Sequence, residues 1–324
     1  MGLPEIIIDE NNSNLTKPPT LEEVKDALFS IDSIKTPGPD GFGAGFFKNY
    51  WHVIKKDLFN CVIEFFTNGK ILKEINHTFV ALIPKKTNPS QTSHYRPISL
   101  CSTIYKIISK ILVNRLRPLL NKLISPFQSA FIPGRSIHDN ILLTHEIMHK
   151  FKNLRTQTAW AAIKSDMEKT YDRIEWDFIL KCLQEMGFHP TWNSWIKECI
   201  SSVSYSLIVN NEPNGFFTPT RGIRQGDPLS PYIFILCMEA LNRMLYIEAS
   251  TRKSGIGIKL SPRDNKIPCL LFADDCLLFC KTNSDCCKKL KSVLDKFCSL
   301  SGQLINFHKS VVTLHEMLPL LINS

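Results

Sequence analysis

Residues 269–280 read CLLFADDCLLFC, two adjacent aspartates set in an otherwise almost wholly apolar run. Burying one ionised carboxylate without a partner is very costly, so a folded chain keeps such a pair only where something strongly positive compensates it. A hard divalent cation would do so. The two flanks each have strand length and hydrophobicity, which predicts a hairpin with Ala273, Asp274 and Asp275 as the tight connection. Successive side chains of a strand point to opposite faces, so the two aspartates need not play equal roles. A plain polar turn is the competing reading of these residues taken alone.

The rest of the chain narrows the choice. With 324 residues, 44% of them apolar and 21% charged, it is ordinary for a folded protein of one large domain or two subdomains, and disorder is not the default. The formal net charge of +9 favours a polyanionic partner, although scattered lysines also serve solubility. Eleven cysteines are irregularly spaced behind an N-terminus, MGLPEIIIDENN, with no secretory signal, which predicts buried free thiols in a reducing, intracellular compartment. Cys276 with Cys280, and the doublet Cys286 and Cys287, come nearest to a zinc-ligand pattern, without a C-x-x-C pair. The most apolar stretch, YIFILCM at 232–238, stops at Glu239 and is far too short to span a bilayer, so no membrane partner is expected.

Periodicity predicts a mixed architecture. NNSNLTKPP closes a tail or linker at residues 1–19, and Thr20 with Glu23 forms a capping box ahead of LEEVKDALFSI. KTPGPDGFGAG is a loop, residues 46–67 suggest a helix, and TFVALIP suggests a strand ending at Pro84. TIYKIISKILVNRLRPLL has the spacing of a helix with one buried face and a basic outer face. A further helix is expected from about Asp139 to Lys152, then a strand, AWAAIKSD, that delivers Asp166 at its end. YSLIVN and GFFTPT resemble a hairpin, a long helix starts at Ser230 and Pro231, another spans about 284–299, and QLINF suggests a short strand. The order argues for α+β, with an antiparallel sheet that helices cover on one side.

Two aspartates rarely suffice for two-metal chemistry, so a third carboxylate on a neighbouring strand is expected. Asp166 is the best placed, provided its strand pairs with the 269–280 hairpin. Asp172 and Asp177 compete but fall in the following helical stretch, where first-turn acids are favoured by the helix dipole. Carboxylate-rich oxygen sites prefer magnesium or manganese, and two such ions can clamp the attacking and leaving oxygens of a phosphoryl displacement. On a basic chain that suggests nucleotidyl transfer or nuclease chemistry.

Eight segments, in order, carry a resemblance: PGPDGF, LIPKK, YRPISL, QSAFIPGRSIHDNILL, DMEKTYDRIEW, RGIRQGDPLSP, FADD and SGQLINFHKS. They resemble the reverse transcriptase of non-LTR (LINE-type) retrotransposons, most like the plant members, over about residues 20–310. The resemblance implies a right-hand polymerase of fingers and palm, with the antiparallel palm sheet packed on helices and the thumb largely absent. Residues 20–155 would be the fingers-like part, 156–310 the palm and 311–324 a divergent tail. It implies RNA-directed DNA synthesis with an RNA template, a DNA primer and dNTPs. Asp166, Asp274 and Asp275 would hold two Mg2+ ions, with Mn2+ as a substitute. Tyr171 would stack under the sugar, or else be a core tyrosine. Gln225 and Gly226 would line the incoming nucleotide, Lys85 and Arg96 would clamp its triphosphate, and Lys309 would protonate the leaving pyrophosphate. Arg135 would support nucleic-acid phosphates, with a structural loop role as the alternative.

Two positions depart from the family pattern: Ser165 stands where an apolar residue is usual and Thr170 where alanine is. The sequence also suggests a truncated fragment, without upstream endonuclease, convincing thumb or C-terminal zinc knuckle. A catalytically silent remnant that at most binds nucleic acid is therefore the second hypothesis. Work on chromosomal DNA implies a nuclear location.

Overall fold

Apolar runs bounded by turn residues become the strands that carry the candidate site. The computed structural model describes residues 2–153, 159–251 and 254–314. Its strands are β1 His77–Pro84, β2 Tyr95–Cys101, β3 Trp160–Ser165, β4 Ser204–Val209, β5 Glu212–Phe217, β6 Cys269–Phe272, β7 Asp275–Lys281 and β8 Val311–Leu314. They form two four-stranded sheets, ordered β2-β1-β4-β5 and β6-β7-β3-β8. Each sheet belongs to its own unit. One unit comprises the described residues of Met1–Pro4, Leu120–Phe178 and Phe234–Ser324; the other comprises Glu5–Leu119 and Ile179–Ile233.

In the first unit every strand pairing is antiparallel, and β3 lies between β7 and β8. The pairing of AWAAIKSD with the FADD hairpin, required if Asp166 is to join the aspartate pair, is thus present. Helix Ile137–Asn153 covers this sheet, its Ile147 and Phe151 packing with Trp160 and Ala162 of β3, Leu270 of β6 and Phe279 of β7. The Phe151 ring stacks on Trp160 at 5.8 Å and meets Phe279 edge-on at 6.2 Å. Helices Trp176–Glu185 and Ser284–Ser301 touch through Phe178 and Phe297.

In the second unit β1 pairs antiparallel with β2 and parallel with β4. The β4–β5 hairpin turns at Asn210 and Asn211, whose φ of 52° and 67° are those a two-residue turn of right-handed twist requires. The capping box forms as the sequence predicts: Glu23 N donates to Thr20 Oγ1 at 3.2 Å and Thr20 N to Glu23 Oε2 at 3.0 Å.

Several expectations change. Residues 9–16 form a helix, Asp9–Thr16, rather than a tail, because Ile7 and Leu15 have apolar places to fill. The expected helix 46–67 is two helices, Ala44–Asn49 and Trp51–Asn68, parted at Tyr50. Helix Thr103–Leu116 lacks the solvated basic face: Lys106 is buried with its ammonium donating to Thr36 O, and Arg115 is locked to Glu23 at 3.0 Å. QLINF contributes only an isolated bridge between Ile305 and Met167. The YRPIS segment is a strand despite Pro97, which β2 accommodates because it is an edge strand. All eleven cysteines are free thiols, most of them buried. Among the described residues no helix is long and apolar enough to cross a membrane.

Helix Ser230–Ser250 carries a buried acid, Glu239. Glu239 accepts hydrogen bonds from Ser125 N at 3.0 Å and Asn242 Nδ2 at 2.8 Å, yet burial outweighs these and raises its pKa from 4.5 to about 7. The folded state therefore holds a proton that the unfolded chain releases. Its contribution is complete below about pH 4.5 and is lost as pH rises through about 7. In urea unfolding followed across this range, Glu239→Gln should remove that loss, gaining up to roughly 3 kcal/mol over the parent at pH 8 and little at pH 4.5. Phe279→Ala should lower unfolding stability by about 3–5 kcal/mol, since a fully buried ring leaves a cavity between helix and sheet. Tryptophan fluorescence would report it through Trp160.

Candidate active site

The β6–β7 connection is tighter than the sequence suggests. Phe272 pairs with Asp275, so Ala273 and Asp274 alone form the turn and Asp275 is the first residue of β7. Ala273 takes a φ of 54°, in the left-handed region that a non-glycine residue adopts at a cost. The β3–β7 ladder ends with Ser165 opposite Cys276. One further step in the same register sets Asp166 opposite Asp275, and all three aspartates gather at one end of the two strands.

Main-chain contacts pin that end. Asp166 N donates to Ser310 Oγ at 3.2 Å, Asn306 N donates to Asp166 O at 2.8 Å, and Glu168 N donates to Leu304 O at 2.8 Å. The side chain of Asp274 receives the Thr170 hydroxyl at 3.4 Å. Its pKa is raised by the protein packed around its inner side and further by the charges of Asp275 and Asp166, against the lowering by its hydrogen bonds. Lys164 Nζ lies 3.4 Å from Asp275 Oδ1, but both side chains are more than half exposed, so this pair offsets little of the repulsion.

The donor set is all carboxylate oxygen, mutually repelling and undercompensated, and it fits a hard divalent cation. Among the described residues no three His, Cys, Asp or Glu side chains already form a metal cage. The aspartates are neighbours in charge that an ion would draw together.

Lys309 lies on the segment that pins Asp166. Its N donates to Asn306 O at 3.2 Å, and its side chain is exposed. Tyr171 is half-buried, its ring stacked on Phe234 at 5.4 Å and 19°. Thr170, a departure from the family pattern, supplies the hydroxyl on Asp274.

The remaining candidates lie in the other unit. Arg96 pairs with Ile83 across the β1–β2 hairpin, and Lys85 stands two residues beyond Ile83, so both exposed cations belong to one face. Lys85 N is fixed by His94 O at 2.8 Å. The Gln225–Gly226 loop docks on the middle of β2, where Ser99 N donates to Gln225 O at 2.8 Å. Gly226 has a φ of 114°, and a Cβ there would stand 3.0 Å from Ser99 O, so glycine is needed for both conformation and approach.

Residues not singled out from sequence hold this loop. Arg224 is buried with its guanidinium 3.6 Å from the Tyr105 ring centre, donating to Asn76 Oδ1 at 2.7 Å and Cys199 O at 2.6 Å. Asp227 is buried and accepts from Tyr105 Oη at 2.9 Å, Ser109 Oγ at 2.6 Å and Leu229 N at 3.1 Å. The signal lay in RGIRQGDPLSP itself, where two opposite charges bracket Gln-Gly.

Arg135 is turned onto the loop that precedes it. Its guanidinium donates to Ile124 O at 2.9 Å, to Gln128 O at 2.7 Å and to Ser125 O. Those donors satisfy carbonyls left open after helix Leu120–Leu123.

The family model described as Reverse transcriptase (RNA-dependent DNA polymerase) matches residues 83–319. The Xenopus laevis transposon TX1 uncharacterized 149 kDa protein is 30% identical over 95% of this chain and 23% of its own length. The Pol polyprotein of the Drosophila melanogaster type-2 retrotransposable element R2DM is 28% identical over 90% of this chain and 26% of its own. The chain thus spans about a quarter of these curated relatives. Among solved structures, apo telomerase of Candida tropicalis, truncated from its C-terminal domain, superposes with a TM-score of 0.53 at 14% identity, covering 85% of this chain and 56% of that one. That likeness shows a shared polymerase fold. The chain belongs to the reverse transcriptase (RNA-dependent DNA polymerase) family and is a reverse transcriptase domain of the non-LTR retrotransposon kind.

Proposed function

We propose that this chain extends a DNA primer on an RNA template, with Asp166, Asp274 and Asp275 as the metal-holding carboxylates. The observation that carries this is their convergence at one end of paired strands with too little positive charge to balance them. Two Mg2+ ions, or Mn2+ in their place, would activate the primer 3′-hydroxyl and offset charge on the triphosphate. The chain's own residues do the rest. Lys85 and Arg96 hold the triphosphate of the incoming dNTP, the ammonium as a point charge and the guanidinium as a fork. Gln225 and Gly226 line the nucleotide, Tyr171 backs the sugar, and Lys309 donates a proton to the departing pyrophosphate. Residues 20–155 serve as fingers and 156–310 as palm. RNA would be gripped through phosphates and 2′-hydroxyls, so binding weakens as salt rises. The working compartment is the nucleus, where chromosomal DNA supplies the primer end.

Primer extension on poly-rA with oligo-dT, dTTP and Mg2+ or Mn2+ tests the reading. The parent should extend the primer, and Asp274→Asn with Asp275→Asn should lower the rate by roughly a thousandfold or more while RNA binding persists. Retained RNA binding with no synthesis by the parent under either metal would instead identify a catalytically silent remnant. Gly226→Ala should raise the KM for dTTP by about tenfold with a smaller change in kcat, because the added Cβ forces the loop off β2.

A further inference from the structure

We infer that Gln128 is a positioning residue for the aspartate hairpin, holding the Ala273–Asp274 turn in the conformation that presents Asp274. Gln128 is 1% exposed, and its carboxamide brackets one residue of the turn, meeting the N–H before and the C=O after the Ala273 Cα. Ala273 N donates to Gln128 Oε1 at 3.0 Å, and Gln128 Nε2 donates to Ala273 O at 3.4 Å. Ala130 N also donates to Oε1 at 3.0 Å. Two backbone N–H groups on one atom fix which end of the amide is oxygen, since the flipped amide would oppose donors to donors.

Ala273 is where such a hold is needed. Its φ of 54° is a strained backbone for a residue with a Cβ, and such conformations persist only where the surroundings over-determine them. Without the amide, the peptide before Asp274 is free to relax, and the carboxylate moves with it. Gln128 is itself fixed from two sides. Leu271 N donates to Phe127 O at 2.8 Å and Ser129 N to Leu271 O at 3.1 Å, so residues 127–129 add to β6 as a short parallel pairing. Behind it, Arg135 donates to Gln128 O at 2.7 Å. The sequence QSAFIPGRS thereby acts as one device: the arginine shapes the loop, the loop docks on β6, and the glutamine holds the turn.

This inference rests on the proposed role of Asp274 as a metal ligand, and the experiment separates the two. Mn2+ is titrated into the full chain, with free Mn2+ read by electron paramagnetic resonance, and hydrogen exchange of the 269–276 segment is followed by mass spectrometry. Gln128→Met keeps the side chain's length without its hydrogen bonds, and Gln128→Asn keeps the amide but withdraws it from Ala273. Both should bind Mn2+ about tenfold more weakly than the parent and exchange faster at the hairpin, as loss of an outer support does at metal sites. Ile147→Val, which loosens the same core away from the turn, should leave both readouts at parent values. Parent affinity in either folded Gln128 variant, or an equal loss in Ile147→Val, overturns the proposal, as does loss of the native circular dichroism in both Gln128 variants. Unchanged Mn2+ binding in Asp274→Asn would overturn the metal reading itself.

Discussion

Three like charges at the end of two adjacent strands are the constraint around which the first unit is built. The β3–β7 register forces the convergence, because a ladder that pairs Ser165 with Cys276 leaves Asp166 facing Asp275. What supports those residues is almost entirely neutral: main-chain bonds from residues 304–310 on Asp166 and Glu168, a threonine hydroxyl on Asp274 and a glutamine amide on Ala273. An internal arginine would have relieved the repulsion more fully, and would also have closed the site as a finished ion pair. Orienting carboxylates with dipoles while leaving their charge uncompensated keeps them available to a cation. The exposed Lys164 beside Asp275 is too well solvated to change this.

Cationic side chains divide by the same logic. Arg224, Arg115 and Arg135 have their donors taken up by carbonyls, a carboxylate or an aromatic face, and each fixes a loop or a helix in place. Lys85 and Arg96 share one exposed face of a hairpin; Lys85 Nζ donates to Ser93 O at 3.3 Å, but neither cation meets a carboxylate among the described residues, so their charge remains available to an anion. Burial and partnering, more than residue type, decide which basic groups can meet a phosphate. The net charge of +9 therefore overstates the positive surface on offer, since part of it is structural.

The strands, the long helices and the capping box could be read because they depend on local periodicity and on side chains that act within one turn. The aspartate hairpin could be read because charge inside an apolar run has few explanations. What escaped the sequence depends on pairing between distant segments. Nothing local distinguishes Arg135, which clamps a loop, from Arg96, which lies exposed, and nothing local tells that Gln128 reaches Ala273 across 145 positions. The helix at 9–16 was hidden for the same reason: its polar sequence gains order from buried Leu15 and from Asn12, which donates to Gly187 O at 2.8 Å. Ser165 illustrates the converse. Its hydroxyl is buried without a partner among the described residues, as expected where the fold is built for an apolar side chain.

A cluster of bare carboxylates sets a problem for any polyanionic ligand. A phosphate brought to Asp166, Asp274 and Asp275 meets repulsion, which grows as water is excluded. With divalent cations held there, the same carboxylates become the anchor of a positive centre, and the sign of the local field reverses. Metal and nucleic acid must then favour each other's binding by the same free energy, because each lowers the electrostatic cost of the other. On the proposed reading the two are therefore not independent cofactor and substrate. The uncompensated charge in FADD couples them, and neutralising it from within the protein would break the coupling, loosening the metal while nucleic acid still binds.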